Sequence, residues 1–275
     1  MMLFASDLDK TLIFSKKSMG ESLSDHELVP VEEKGGVFTS YMTRSALLQL
    51  ASIAQVSSFV PVTTRTVSQY RRVFQFSKQM DVKYAITSNG GNVLVDGEPD
   101  QEWGERIRIA AQSSADREDI KKMYDEIASS EWALRGWLCD ELFYTMIIDP
   151  EKAPFSVLDE FRQRLLVHGW ALSIQGRKVY LVPAGITKGD ALLYVKERIA
   201  ASYIAASGDS LLDESLLRVA DYAIAPRHGE LYAFYGESSL HHQFTESSGI
   251  RASEELLERV HQELLKYNDQ FIASR

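Results

Sequence analysis

The chain has 275 residues, 45% of them hydrophobic and 25% charged, a composition that excludes a disordered or fibrous chain and leaves room for one large domain or two modest ones. Thirty Lys and Arg against 39 Asp and Glu give a net charge of −9, which argues against nucleic acid or an anionic membrane surface as a partner. The single cysteine, Cys139, permits neither an internal disulfide nor a thiolate metal cluster, and no run approaches the roughly 18–20 apolar residues of a membrane span, so a soluble, cytoplasmic protein is expected.

Met2 to Leu8 is a short apolar run that predicts a buried strand ending at acidic residues. Residues 15–37 are polar and rich in turn formers and read as an irregular excursion. From Thr43, an N-cap residue, Ala46, Leu47, Leu50, Ile53 and Ala54 fall on one face of a helix. Val56–Val62 predicts a second strand and Tyr84–Thr87 a third, which leads through the turn Asn89-Gly90-Gly91 into Val93–Val95. This alternation predicts a parallel sheet with covering helices.

Between about 100 and 180 the pattern changes. Helices near 115–129 and 154–167 are each followed by two strand-like runs, Trp132–Leu138 with Leu142–Ile148 and Trp170–Ile174 with Val179–Val182. Turn residues at 139–141 and 175–177 join each pair as a hairpin. After Gly185 the first pattern returns: a helix from Thr187 to Ala200, strands at Tyr203–Ala206 and Tyr222–Ala225, a helix over 212–219, and an amphipathic helix from Ser253 onward. The reading is an α/β core domain, 1–95 plus 183–275, with a smaller antiparallel α+β domain, 96–182, inserted into it.

The chemistry gathers at predicted strand ends. Asp7 and Asp9 follow the first strand, where alternation would project both carboxylates to one side and their repulsion calls for a cation or a shared proton. Thr63-Thr64-Arg65 follows the second strand, Thr187-Lys188-Gly189-Asp190 opens the helix after the insert, and Gly208-Asp209-Ser210-Leu211-Leu212-Asp213 follows the next strand. In an α/β sheet the carboxyl ends of the strands form the ligand edge. Each stretch alone has a plain structural reading as a cap, turn or solvated side chain, but four in order at strand-spaced intervals point to one site. His241-His242 lacks further ligand partners at metal-site spacing and is not read as a metal site.

This ordered set resembles the four motifs of the haloacid dehalogenase superfamily, D-x-D-x-T, a Thr or Ser, a Lys, and an acidic pair. The insert resembles its type II cap, of αββαββ pattern. Thr187-Lys188-Gly189-Asp190-Ala191-Leu192 and Thr87-Ser88-Asn89-Gly90-Gly91 resemble stretches of the Cof-type (IIB) subfamily, which includes sugar-phosphate phosphatases. The resemblance implies a Rossmann-like core and a Mg²⁺-dependent phosphatase acting on a small phosphorylated metabolite, a sugar phosphate above all, through an aspartyl-phosphate. It implies that Asp7 is the nucleophile and Asp9 the general acid/base, that Thr63 binds a phosphoryl oxygen, and that Lys188 balances charge. Mg²⁺ would be held by Asp7, Asp9 through its backbone carbonyl, Asp209 and Asp213. Thr64, Arg65, Asn89 and, at the last cap hairpin, Arg177 are expected near the substrate. Two positions depart from the subfamily pattern: Leu212 stands where Asn is usual, and Thr64 where Gly is usual. The alternatives are a phosphomutase or phosphotransferase on the same fold, or a non-catalytic metabolite-binding module; the protein is expected to be a monomer or homodimer.

Overall fold

The computed structural model describes residues 1–236 and 241–273, the side chains of 77–79 aside. The chain divides into two compact units, Met1–Pro99 with Lys188–Arg275, and Asp100–Thr187.

In the first unit the apolar run after Met1 forms strand β1 (Met2–Ser6), every residue of it buried. Of the segment expected to be irregular, residues 15–27 carry turns and bends, but from Leu28 the chain forms a hairpin of β2 (Leu28–Lys34) and β3 (Val37–Thr43), paired antiparallel. Gly35 and Gly36, with φ of 59° and 80°, make its turn, a conformation that a Cβ would strain. Helix α1 (Arg44–Val56) starts where Thr43 accepts a hydrogen bond from the Ala46 amide. β4 (Ser58–Pro61), the short helices α2 (Val67–Tyr70) and α3 (Phe74–Gln79), and a second hairpin, β5 (Tyr84–Thr87) with β6 (Asn92–Val95), follow.

Strand β7 (Glu98–Pro99) pairs with β6 and so stays with this unit, although the expected boundary lies at 95/96. The second unit opens with α4 (Gln101–Ala111), a helix absent from the expected pattern; Asp100 caps it, while its buried positions reduce to Trp103 and Ile107, too few to announce it. Then come α5 (Arg117–Ile127), β8 (Ala133–Cys139), β9 (Phe143–Ile148), α6 (Phe155–Leu166), β10 (Trp170–Gln175) and β11 (Lys178–Pro183). Among the described residues they make a four-stranded antiparallel sheet, β10-β11-β9-β8. β11 remains paired through Pro183, opposite Trp170, so the unit ends later than the expected 182.

The chain returns to the first unit as α7 (Lys188–Ile199), β12 (Tyr203–Ser207), a 3₁₀ turn at Leu211–Asp213, α8 (Glu214–Arg218), β13 (Tyr222–Ala225), α9 (Glu230–Tyr235), β14 (Gln243–Phe244) and α10 (Ile250–Ala273). Among the described residues the central sheet has five strands in the order β14-β13-β12-β1-β4, all parallel. A bridge from Val62 to Ile86 continues it toward β5. Phe4, Phe59, Ala205 and Ile224 face one way and share a core with Leu50 and Ile53 of α1 and Leu257 and Val260 of α10. The alternate residues Leu3, Ala5, Ile204 and Ala206, also buried, face the other way.

After β1 the chain crosses to β4 on one side, and after the insert it builds β12, β13 and β14 on the other. The carboxyl end of β1 is therefore a topological switch point, where connecting loops part and leave a crevice.

Candidate active site

The site begins where β1 stops. The Asp7 amide still bonds to the Ser207 carbonyl at 2.9 Å, but the strand ends at Ser6. The amides of Thr11, Leu12 and Ile13 then converge on the Leu8 carbonyl, with Lys10 in the left-handed region at φ 63°. This tight turn, not strand alternation, orients the two acids, and it separates them. Asp7 is 5% exposed, whereas the Asp9 side chain is 42% exposed and lies along Arg65.

Three carboxylates from two segments meet here, Asp7 after β1 and Asp209 with Asp213 after β12. Asp7, Asp209 and Asp213, all buried, have carboxylate oxygens within 4.8 Å of one another. Gly208 lets them meet: a Cβ there would lie 2.4 Å from Asp213 Cβ and 2.5 Å from its Cγ. Gly229 does the same on the far side of Asp209, where a Cβ would be 2.4 Å from that residue's carbonyl oxygen. Asp213 Oδ2 accepts from the Ser210 amide at 2.9 Å and its hydroxyl at 2.7 Å, so the acidic pair braces its own turn. Leu212, in the 3₁₀ turn, takes no part in that bracing.

Lys188, at the start of α7 and fully buried, donates to Asp7 Oδ1 at 2.7 Å and to Asp213 Oδ1 at 2.5 Å. Burial works against its charge, but Asp213 and Asp7 raise its pKa above the ordinary lysine value, so it stays an ammonium. One ammonium does not balance three buried carboxylates. Burial, with the Asp213 and Asp9 charges and against the pull of Lys188, pushes Asp7 up to about 7. Burial and the Asp7 and Asp213 charges raise Asp209 well above the carboxylate range. A dry cluster of hard oxygen donors with a deficit of positive charge is the chemistry that suits Mg²⁺, so the residues present fit the cation that the motif resemblance implies. The Asp9 carboxylate is outside this cluster, and any contribution from Asp9 falls to its backbone carbonyl.

Thr63, fully buried at the end of β4, is fixed on both sides. Its amide bonds to the Ile86 carbonyl at 2.8 Å and its carbonyl accepts from the Asn89 amide at 3.0 Å. The Ser88 amide bonds to the Arg65 carbonyl at 2.8 Å. Ser88 and Asn89 have φ of 54° and 58°, and this left-handed pair bends the chain so that both amides reach the 63–65 loop. Asn89 therefore acts here through its backbone, holding Thr63 in place. Thr64 is half-buried in the same loop.

Arg65 differs from its expected place against a substrate. Its Nε and Nη2 form a fork on Asp9, at 2.7 and 2.8 Å, and Nη1 lies 2.8 Å from Glu32 Oε1. The guanidinium edge is occupied by two carboxylates of the protein. Arg177 belongs to the other compact unit, exposed in the Gly176-Arg177 turn between β10 and β11. Sequence reasoning missed Glu32, a carboxylate 5% exposed on β2. The Gly35-Gly36 pair, between Leu28–Val31 on one side and Val37-Phe38 on the other, was the signal for the hairpin that carries it.

His228, after β13, is a positioning group. Its Nδ1 accepts from the Gly249 amide at 3.0 Å, which leaves Nε2–H to donate to the Lys10 carbonyl at 2.8 Å. Burial lowers its pKa, consistent with a neutral ring that ties the turn after Asp9 to the start of α10.

The family model of sucrose-6F-phosphate phosphohydrolase matches residues 1–253 of this sequence. The chain belongs to that family. Family membership makes it a phosphoric monoester hydrolase and accounts for the four motifs. No curated relative matches the chain. Among solved structures, the sucrose-phosphatase of Synechocystis sp. PCC6803, determined with sucrose and phosphate, is similar over 94% of this chain and 97% of its own, with a TM-score of 0.68 and 19% identity. BT4131, a sugar phosphatase of haloacid dehalogenase subclass IIB, is similar over 96% and 100%, with a TM-score of 0.61 and 12% identity. BT1666 of Bacteroides thetaiotaomicron, another phosphatase of this superfamily, covers 96% of each chain at a TM-score of 0.55 and 14% identity. At these identities the structural likenesses show the fold, a Rossmann-like core with an inserted cap.

Proposed function

We propose that this phosphatase hydrolyses a small sugar phosphate through an aspartyl-phosphate at Asp7, with Mg²⁺ as its cofactor. The observation that carries the reading is the buried cluster of Asp7, Asp209 and Asp213 around Lys188, which leaves a nucleophilic carboxylate beside a site short of positive charge. The family's name and the sucrose and phosphate bound in the Synechocystis enzyme favour a disaccharide phosphate as the first compound to try.

The residues divide the chemistry as follows. An Asp7 carboxylate oxygen attacks phosphorus, and the bond from phosphorus to the sugar oxygen breaks. Asp9 gives a proton to that leaving oxygen, and in the second half takes one from the water that attacks phosphorus, cleaves the acyl phosphate and releases inorganic phosphate. Thr63 donates its hydroxyl hydrogen to a phosphoryl oxygen, and its buried, doubly anchored backbone keeps that donor in place. Lys188 holds Asp7 in position and compensates its charge. Asp7, Asp209, Asp213 and the Asp9 carbonyl would hold Mg²⁺, which when bound supplies positive charge to the transferring group. The enzymatic reading is favoured over a binding module because Lys188 bonds both Asp7 and Asp213, with an Asp209 oxygen within 4.8 Å of theirs, and Ser210 braces Asp213 where Leu212 cannot.

The experiment is phosphate release across a panel of mono- and disaccharide phosphates, with Mg²⁺ and again after chelation. Turnover of at least one sugar phosphate, lost with the metal and restored by adding it back, is expected. Metal-independent turnover, or turnover confined to nucleotides or other non-sugar esters, would refute the reading.

A further inference from the structure

Asp9 must present its carboxyl to the leaving oxygen, yet its side chain is 42% exposed and begins in a turn, so its rotamer is not fixed by packing. The fork from Arg65 holds both of its carboxylate oxygens. Arg65 is itself a long side chain on a loop, with several rotatable bonds to immobilise. Its far edge is held by Glu32, which meets Nη1 at 2.8 Å and Nη2 at 3.1 Å. Glu32 in turn accepts from the Ser40 hydroxyl at 2.6 Å and faces Arg72 at 3.5 Å.

The pairing register of β2 with β3 shifts on both sides of Glu32, a bulge of the kind that redirects one side chain inward. The Arg65 charge and hydrogen bonds outweigh burial and keep Glu32 below the ordinary carboxyl value. Buried ion pairs add little stability over apolar packing, so a redirected, fully engaged carboxylate calls for another role.

We infer that Glu32 is a positioning residue for the reaction, acting through Arg65 to hold the Asp9 carboxyl where it can protonate the leaving oxygen. The inference rests on the proposed role of Asp9. It predicts a dependence on the leaving group, since p-nitrophenolate departs without a proton whereas phenolate is a poorer leaving group helped by one. The two aryl esters differ little in size, so binding does not confound the comparison.

The test measures kcat and KM of wild type, Glu32→Gln, Glu32→Asp and Asp9→Asn on p-nitrophenyl phosphate and phenyl phosphate with Mg²⁺. Glu32→Gln should lose about tenfold in kcat on phenyl phosphate, a fraction of the ~10²–10⁴ that acid–base catalysis supplies, and less than about threefold on the nitrophenyl ester, with KM little changed. Asp9→Asn should show the same split more strongly, and Glu32→Asp should recover part of the loss. Equal losses on both esters, or none, in Glu32→Gln while Asp9→Asn splits them, would overturn the inference and leave the catalytic reading standing. Absence of the split in Asp9→Asn would overturn the role of Asp9 itself, and the inference with it. If Glu32→Gln does not fold, Ser40→Ala, which removes the 2.6 Å bond to Glu32, carries the same prediction at smaller size.

Discussion

Asp7 sits in unfavourable electrostatics, because burial and the facing Asp213 push it up to about 7 from an ordinary 3.8 despite the bond from Lys188. A folded-state pKa above the unfolded one means that the native chain holds this proton more tightly. The resulting stability is fully present below about pH 4 and is lost as pH rises through about 7. Metal-free wild type should therefore lose melting temperature relative to Asp7→Asn between pH 5 and pH 8, and Mg²⁺ should reverse that trend by binding the ionised form. Thermal melts of both proteins in chelator at the two pH values check this, and a constant difference between them would contradict it. The motif residues were legible only as an ordered set, because each stretch alone reads equally well as a cap, a turn or a solvated side chain. The partner of Arg65 was not, since nothing in the local sequence joins Glu32 to a residue 33 positions away.

The elements that carry the motifs were legible for a different reason. β1, β4 and β12 are short apolar runs bounded by turn residues, and α1 pairs helical spacing with a capping threonine. The misses lie where the local pattern is weak or mixed. The β2–β3 hairpin hides behind charges because its bulge breaks the alternation, and α4 exposes most of its surface. The strand end that carries the acidic pair admits little change. A Cβ at Gly208 would fall 2.4 Å from Asp213 Cβ, closer than packed side chains tolerate. Gly208→Ala should cost on the order of 1–3 kcal/mol in stability and weaken Mg²⁺ affinity together. Denaturant unfolding and metal titration would show both effects, and an unchanged metal affinity would mean that Asp213 does not depend on this close approach.

Across the whole molecule, motifs as far apart in sequence as Asp7 and Asp213 come together because a parallel sheet brings strand ends to one edge, and β1 lies at its switch point. The excess of acidic residues takes on a local meaning there: part of it is concentrated in a buried cluster, where on the proposed function a bound cation with Lys188 would present positive charge to an anionic substrate. The central claim is that the Asp7 carboxylate is the group that takes the phosphoryl. Its most direct test is the rate of phosphate release from a turned-over sugar phosphate, in saturating Mg²⁺, by wild type and by Asp7→Asn folded to the same extent. The account predicts that the amide variant loses several orders of magnitude in kcat; release by Asp7→Asn within about tenfold of wild type would contradict it.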